Sequence, residues 1–194
     1  TGLTKEGSKV TGVRLANGDA VAADAVVLAA GPWTSNASAW TGVNLALHPV
    51  RGQILRLEVE KPLRASLSGE EMYIVSKADG GLLAGATEEH EAGYDTGVTP
   101  DGLAMIMNAA IKLAPPLANA RLVNHVSGLR PGTADELPLI GAVPGWDDLY
   151  VCAGHFRRGM ELSAASTKII ADLVQGRPSQ IDLTAFDAGR FGMA

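Results

Sequence analysis

The sequence predicts a mixed α/β (α+β) fold in which two parts are interleaved along one chain. Residues 1–46 contain an apolar strand followed by a glycine turn and a short helix, a pattern typical of an α/β layer. Residues 47–127 contain alternating strands joined as hairpins, which is typical of an antiparallel sheet. The α/β pattern returns in residues 128–194, so we expect the first and last parts to meet in one layered unit.

The opening part begins with a hairpin. Residues 9–15 alternate as a strand, and Asn17-Gly18 is a strong two-residue turn signal. Residues 20–30 are too apolar to alternate, so we expect one return strand that is buried on both faces. A short helix is expected over residues 33–40.

The middle part predicts a second hairpin and an amphipathic helix. Residues 72–77 and 82–86 flank an Asp-Gly-Gly turn. Residues 99–113 carry apolar side chains at helical spacing behind a Thr-Pro start, and Pro115-Pro116 ends the pattern.

The last third of the chain contains two predicted short strands, 122–127 and 149–153, separated by a stretch rich in proline and glycine. The following helix is expected over residues 159–174, because apolar residues recur on one face and Gly176-Arg-Pro closes it. We expect the apolar strand of the opening part and strand 149–153 to lie in one sheet.

Composition and charge exclude several classes of partner. The 194 residues are 46% hydrophobic and carry 16 Lys and Arg against 21 Asp and Glu, a net charge of −5 without blocks of like charge. We therefore expect neither nucleic acid nor an anionic membrane as partner. No transmembrane segment or signal peptide is expected, and Cys152 is the single cysteine, so a reducing cytoplasm is the expected location. A homo-oligomer is left open.

Two glycine-rich turns carry the chemistry that the residues themselves suggest. The four histidines lie far apart without the spacing of a metal site, so no metal is expected. The segments SGLRPGT and AGHFRRG each leave a predicted strand and each carry arginine. Glycines at such positions let a ligand approach the backbone.

Several motifs together resemble a known family. ADAVVLAAGPWTS, HPVRGQ, YIVSKADGGLLAGATEE, SGLRPGTADELPLIG and LYVCAGHFRRGMELSAAS occur in this order. Their order and spacing are similar to those of flavoprotein amine oxidases of the D-amino acid oxidase superfamily, and the glycine oxidase and sarcosine oxidase type looks most similar. The resemblance covers nearly the whole chain and implies FAD as cofactor.

The resemblance also implies domain roles. It identifies 1–46 and 128–194 as parts of a Rossmann-like FAD-binding domain and 47–127 as an antiparallel-sheet substrate-binding domain. The Gly-x-Gly-x-x-Gly turn that holds the FAD pyrophosphate in such enzymes does not occur in this sequence. The chain is therefore expected to be the C-terminal portion of such an oxidase, the parent protein, and to bind FAD weakly alone.

The resemblance implies that two residues bind the substrate carboxylate. Arg130 of GLRP matches the arginine that binds this carboxylate, and a guanidinium suits a bidentate contact. The alternative is an arginine tied to a structural carboxylate such as Asp135 or Glu136. Tyr73 of YIVS matches a tyrosine that gives the carboxylate a second hydrogen bond, and the alternative is packing on a sheet face.

The remaining assignments concern the substrate pocket and the cofactor. Glu88 falls where an acid could select an amine-bearing substrate, or could instead point to solvent. The loop along the flavin ring comprises Gly154, His155, Phe156, Arg157, Arg158, Gly159 and Met160. The alternative for this loop is a plain strand-to-helix turn. Gly31 and Trp33 of AAGPW match a further cofactor contact or a tight turn. Cys152 invites a covalent flavin link but is expected to be buried in its strand.

The resemblance implies that the parent oxidises glycine, sarcosine or a D-amino acid. Hydride would pass from Cα to the flavin, and an imine, then an oxo acid, and hydrogen peroxide would result. Arg130 and Tyr73 would orient the substrate, without a catalytic base. Two alternatives remain: a D-amino acid dehydrogenase with a quinone acceptor, and a non-catalytic truncated fragment acting as a binding or interaction module.

Overall fold

The computed structural model describes residues 1–61, 63–70 and 72–194. The chain forms two compact units: unit 1 contains Thr1–Pro49 and Arg130–Ala194, and unit 2 contains Val50–Leu129. The strands are β1 Gly2–Glu6, β2 Lys9–Arg14, β3 Ala20–Ala22, β4 Val26–Leu28, β5 Leu47–Glu58, β6 Leu67–Ser68, β7 Tyr73–Ser76, β8 Leu82–Gly85, β9 Arg121–Thr133, β10 Leu139–Ala142 and β11 Leu149–Ala153. The α-helices are α1 Ser38–Thr41, α2 Pro100–Leu113 and α3 Gly159–Val174. Strands β5 and β9 cross from one unit into the other.

Unit 1 contains two small sheets and the helix α3. In the described residues, β1, β2 and β3 form an antiparallel sheet, and β11 lies between β10 and β4 in a second sheet. Strand β11 is antiparallel to β10 and parallel to β4, so the two strands expected in one sheet do pair. Leu139, Leu149 and Val151 are fully buried in the main cluster of this unit. Burying each such side chain contributes about 1.5–3 kcal/mol.

Unit 2 is an antiparallel sheet covered by α2. The strand order in the described residues is β6-β7-β8-β5-β9. Helix α2 begins after Thr99, whose hydroxyl accepts from the Gly102 N–H at 3.1 Å, and the expected Thr-Pro start is confirmed. Ile106 and Ala110 of α2 share a buried cluster with sheet residues that include Leu82.

The expected long return strand over residues 20–30 is wrong. The segment forms two separate strands, β3 and β4, with a bend at Asp24 between them. Strand β3 completes the first hairpin sheet, whereas β4 joins β11 in the second. Burial on both faces is also wrong: Val21 and Val27 are exposed by 50% and 40%.

The other predicted elements are present, several of them with changed bounds. The hairpin of β7 and β8 and the helix α3 lie where they were expected. The helix expected over 33–40 is a 3-10 helix, Gly31–Ala37, that runs into α1. Strands β1 and β10 were not predicted, and β9 is longer than expected. In the part of the chain that the structure describes, no helix has the length and apolar character needed to cross a bilayer.

Candidate active site

The SGLRPGT segment lies at the end of β9, where the chain makes a tight turn. Arg130 is inside β9 and partly buried, not after the strand as expected, because β9 extends to Thr133. The Thr133 hydroxyl donates to the Leu137 carbonyl oxygen at 2.8 Å, and the Thr133 carbonyl accepts from the Glu136 N–H at 3.2 Å. Glu136 adopts φ 58, in the left-handed region. These contacts fix the turn just beyond Arg130.

Asp135, the structural partner considered for Arg130, is bound by Arg190 instead. Nε of Arg190 donates to Oδ2 at 2.8 Å, and a terminal nitrogen donates to Oδ1 at 2.9 Å. The Leu137 N–H adds a third hydrogen bond at 3.1 Å. The Arg190 hydrogen bonds lower the pKa of Asp135 to about 2. Sequence reasoning missed Arg190, because no motif connects it with a turn 55 residues earlier.

The AGHFRRG segment continues directly from β11. Gly154 adopts φ +81, and a Cβ there would lie 2.9 Å from Cγ2 of Thr133 and 3.3 Å from Cδ2 of Leu47. Only glycine combines this backbone conformation with so close an approach. The two arginine-bearing turns singled out in the sequence are therefore in contact, at Gly154 and Thr133, within unit 1.

His155 joins this loop to the second turn of α3. Its Nε2 lies 2.9 Å from Oγ of Ser166, which is buried. Burial lowers the pKa of His155, so the ring is neutral near pH 7. A neutral ring can serve as hydrogen-bond partner to Ser166 without placing a charge behind the loop.

The loop then enters α3 with its N-terminus open. The 3-10 turn Phe156–Arg158 leads into Gly159, and among the described residues no side chain caps the helix. Phe156 has φ 48, and the Arg157 guanidinium lies 5.0 Å from its ring. Met160 is 93% exposed. The helix start thus offers backbone N–H groups and an exposed apolar side chain to a ligand.

Gly31 and Trp33 lie at the start of the 3-10 helix that follows β4. Gly31 has φ +57, and its position has open space where a Cβ would lie. Trp33 is half exposed, and its N–H donates to the Ala30 carbonyl at 3.2 Å. The glycine turn is present, and the cofactor contact stays a prediction.

Tyr73 and Glu88 belong to unit 2. Tyr73 begins β7 opposite Gly85 of β8, and its side chain is partly exposed. Glu88 follows β8, and its Oε1 lies 3.2 Å from Nε2 of His90. Their roles in substrate binding stay predictions.

Beside Glu88 lies a polar network that sequence reasoning missed. Arg51 is buried, and its guanidinium binds Glu89 at 2.6 and 2.9 Å and Asp95 at 2.6 Å. The backbones of Arg51 and Glu89 also pair, with N–H to carbonyl distances of 3.1 and 2.9 Å. The signal was available: Arg51 and Gln53 occupy the face of β5 that continues as Leu55 and Leu57.

Gln53 links this network to α2. Its Nε2 donates to Oε1 of Glu89 at 2.8 Å and to the Thr99 hydroxyl at 3.0 Å. Its Oε1 accepts from the Thr99 N–H at 2.9 Å. A Cβ at Gly102 would lie within 2.5 Å of the Gln53 amide, so the first turn of α2 lies directly on this side chain. The segment that carries Glu88 is thereby fixed on both sides.

Cys152 lies in β11, partly buried beside Ile140, Tyr150 and Ile170. Burial raises the pKa of its thiol, so little of the reactive thiolate is present near neutral pH. This environment favours packing over a covalent flavin link.

Comparison with known proteins connects these motifs. Residues 1–173 match the family described as FAD dependent oxidoreductase (DAO). The chain belongs to the DAO family. Glycine oxidase of Pseudomonas putida is 39% identical over 194 residues, a match that covers 99% of this chain and 53% of that protein.

Solved structures show the same fold. The crystal structure of glycine oxidase from Geobacillus kaustophilus has a TM-score of 0.84 at 34% identity and covers 90% of this chain and 47% of its own. That of iminodiacetate oxidase from Chelativorans sp. BNC1 has a TM-score of 0.88 at 25% identity and covers 96% of this chain and 52% of its own. The expected mixed α/β fold of a DAO-family oxidoreductase is confirmed.

The chain spans about half the length of the relatives it matches. The comparisons show the family and this share of length, and not the C-terminal placement that the sequence analysis expected. FAD, the cofactor of the DAO family, fits unit 1 in part. The glycine at 154, the open N-terminus of α3 and the exposed Met160 suit the edge of a planar ring. A pyrophosphate cradle of the Gly-x-Gly-x-x-Gly type is absent from the sequence.

Proposed function

We propose that the parent protein is an FAD-dependent oxidase of a small amino acid or amine of the glycine, sarcosine or D-amino acid type. The observation that carries the proposal is the contact of Gly154 with Thr133, which joins the turn after Arg130 to the loop before α3. Family membership and the 39% identity to a protein named glycine oxidase support the same reaction class.

Arg130 is the proposed carboxylate-binding residue. Its planar guanidinium can bind both carboxylate oxygens and so fix the direction of the substrate Cα. The binding of Asp135 by Arg190 bears on one of the two structural partners considered for Arg130, Asp135 and Glu136, because Asp135 already has another arginine. Tyr73 is proposed as a second hydrogen-bond donor and Glu88 as a residue that selects an amine-bearing substrate, both on the sequence resemblance.

Residues 154–160, with Gly31 and Trp33, are the proposed cofactor contacts of this chain. When bound, FAD supplies the hydride acceptor for the substrate Cα–H bond. The N-terminus of α3 would favour negative charge nearby by about 0.3–2 kcal/mol. Units 1 and 2 are proposed as parts of an FAD-binding and a substrate-binding domain. This chain alone is proposed to bind FAD weakly.

The test uses the purified, FAD-loaded parent protein. Under anaerobic conditions, glycine, sarcosine and D-alanine are added in turn, and loss of the visible flavin absorbance identifies a substrate. Admitting air should restore the absorbance and produce hydrogen peroxide. Reduction without peroxide would favour a dehydrogenase with a quinone acceptor. A colourless parent that takes up no FAD would favour a non-catalytic module.

Replacement of Arg130 tests the site itself. Arg130→Ala should lower kcat/KM by roughly 30-fold to several thousand-fold, about 2–5 kcal/mol, the cost of truncating one partner of a hydrogen-bonded charge pair. The rates are normalised to bound flavin, and melting curves are recorded beside them. A fall in kcat/KM of less than about threefold together with a lower Tm would show a structural arginine instead.

A further inference from the structure

Arg190 connects the C-terminal segment to one turn of unit 1. Besides both oxygens of Asp135, it binds the carbonyl oxygens of Leu137 at 2.7 Å and Pro138 at 3.3 Å. All three partners belong to the turn that follows Arg130 on the chain. We call the contacts of Arg190 with Asp135, Leu137 and Pro138 the Arg190 clamp.

The segment that carries Arg190 is itself fixed. Ala188 is fully buried, and a Cβ at Gly189 would lie 2.9 Å from Cγ of Pro144. The Asp187 carboxylate accepts from the Gly189 N–H at 2.6 Å, and the Arg190 guanidinium lies 4.4 Å from the Phe191 ring. The guanidinium is therefore held in place before it meets the turn, and its hydrogen bonds lose little side-chain entropy.

The same turn also lies against the loop that precedes α3. Thr133, 4% exposed, contacts Gly154 through its methyl group and closes the turn through its hydroxyl. Arg130 is three residues before Thr133 on the same strand. The Arg190 clamp and the Gly154 contact therefore both hold the end of the strand that carries Arg130.

We propose that Arg190 and Asp135 are positioning residues for substrate binding. The clamp fixes the turn so that Arg130 keeps one placement relative to residues 154–160. The inference rests on the proposed carboxylate-binding role of Arg130 and adds two residues, one of them near the C-terminus, that act through it. A binding group must be held within about 0.5 Å of its productive position, so a loosened turn should impair recognition of the carboxylate.

The test compares variants of the FAD-loaded parent in carboxylate binding. Acetate, a carboxylate that is not oxidised, is titrated against the visible flavin absorbance to give a Kd. Asp135→Asn should weaken acetate binding about tenfold and raise KM for the amino acid substrate by a similar factor. The kcat at saturating substrate should change less than about threefold, because Arg130 itself is intact.

Asp172→Asn is the matched control in the same unit. Like Asp135, Asp172 is ion-paired, to Lys168 and to Arg177, whose Nε donates at 2.9 Å, but it is buried and lies in the last turns of α3. This variant should lower Tm and leave the acetate Kd unchanged. Arg190→Lys, which keeps the charge and loses the bidentate geometry, is the milder second variant and should fall between wild type and Asp135→Asn.

The outcomes separate the clamp from the proposed function. If Arg130→Ala weakens acetate binding while Asp135→Asn and Arg190→Lys leave Kd and KM at wild-type values, the clamp is only structural and the inference is wrong. If Arg130→Ala also leaves the Kd unchanged, the carboxylate assignment fails and the clamp inference falls with it. If Asp135→Asn does not fold, Arg190→Lys decides by the same Kd and KM.

Discussion

Each unit contains an arginine held by carboxylates, and the two arrangements fix different things. In unit 2, Arg51 binds Glu89 and Asp95 from inside a strand, and the backbone of Arg51 pairs with Glu89 as well. In unit 1, Arg190 binds Asp135 and two backbone carbonyls from a segment near the C-terminus. The Arg51 arrangement is part of a sheet, whereas Arg190 binds a turn that is distant from it in sequence.

The difference shows in exposure and in the number of partners. The side chain of Arg51 is 9% exposed, and Gln53 beside it is fully buried with three hydrogen bonds. The Asp135 side chain is 37% exposed, so water can replace part of what Arg190 provides. We therefore expect the unit 2 network to contribute more to folding stability than the Arg190 clamp does. The main effect of the clamp should be on the position of the turn.

The largest effect is expected at the centre of the unit 2 network. Gln53→Ala should lower the free energy of unfolding by about 2–4 kcal/mol, because it removes the three side-chain hydrogen bonds of a fully buried residue and leaves a cavity beneath Gly102. Denaturant unfolding of the parent, monitored by a signal from unit 2, measures this change in free energy. Gln180→Ala removes an exposed glutamine and should change stability by less than about 0.5 kcal/mol. Equal effects of the two substitutions would contradict the network.

Features set by neighbouring residues could be predicted from the sequence, and features set by tertiary contacts could not. Helix α3 was predicted at Gly159–Val174 because apolar spacing and a Gly-Arg-Pro ending are local signals. Strand β10 was missed because four residues, Leu139–Ala142, are too few for a pattern, and their pairing with β11 is a tertiary property. The apolar run at 20–30 was misread because composition does not show that Asp24 divides it between two sheets.

The candidate site divides in the same way. Gly154 was singled out by its motif, and its contact with Thr133 gives that motif a physical reason. The Arg51 network could have been predicted from polar residues on an otherwise apolar strand face. Arg190 could not, because its partners are 52–55 residues away and no periodicity connects them.

The second effect concerns the contact that joins the two turns of unit 1. Gly154→Ala should destabilise the parent by about 1–3 kcal/mol, because an L-residue at this φ is strained and its Cβ meets the Thr133 methyl. Gly176→Ala is the matched control, since Gly176 has φ +70 in the same unit with open space around its Cβ position. Both variants should lose stability through the strained backbone, and Gly154→Ala should lose more because its Cβ also meets Thr133.

A double substitution isolates that contact. Thr133→Ser removes the methyl and keeps the hydroxyl that donates to Leu137. Added to Gly154→Ala, it should recover part of the lost stability and of the flavin content, measured by thermal unfolding and by the visible spectrum. If the loss of stability in the double variant equals the sum of the losses in the two single variants, the contact between Gly154 and Thr133 does not contribute.

The smallest effect is the pH dependence of the Arg190 clamp. The pKa of Asp135 falls to about 2 in the folded protein, below its ordinary value of about 3.9. A lowered pKa stabilises the fold fully above the unfolded value and loses that contribution as the pH falls toward the folded value. Because 37% of the side chain is exposed, solvent screening reduces the contribution to about 1 kcal/mol, or about 2–4 °C in Tm. The difference in Tm between wild type and Asp135→Asn should therefore be constant from about pH 5 to 8 and shrink below about pH 4. A difference that persists unchanged at about pH 2.5 would mean that the charge of Asp135 does not hold the turn.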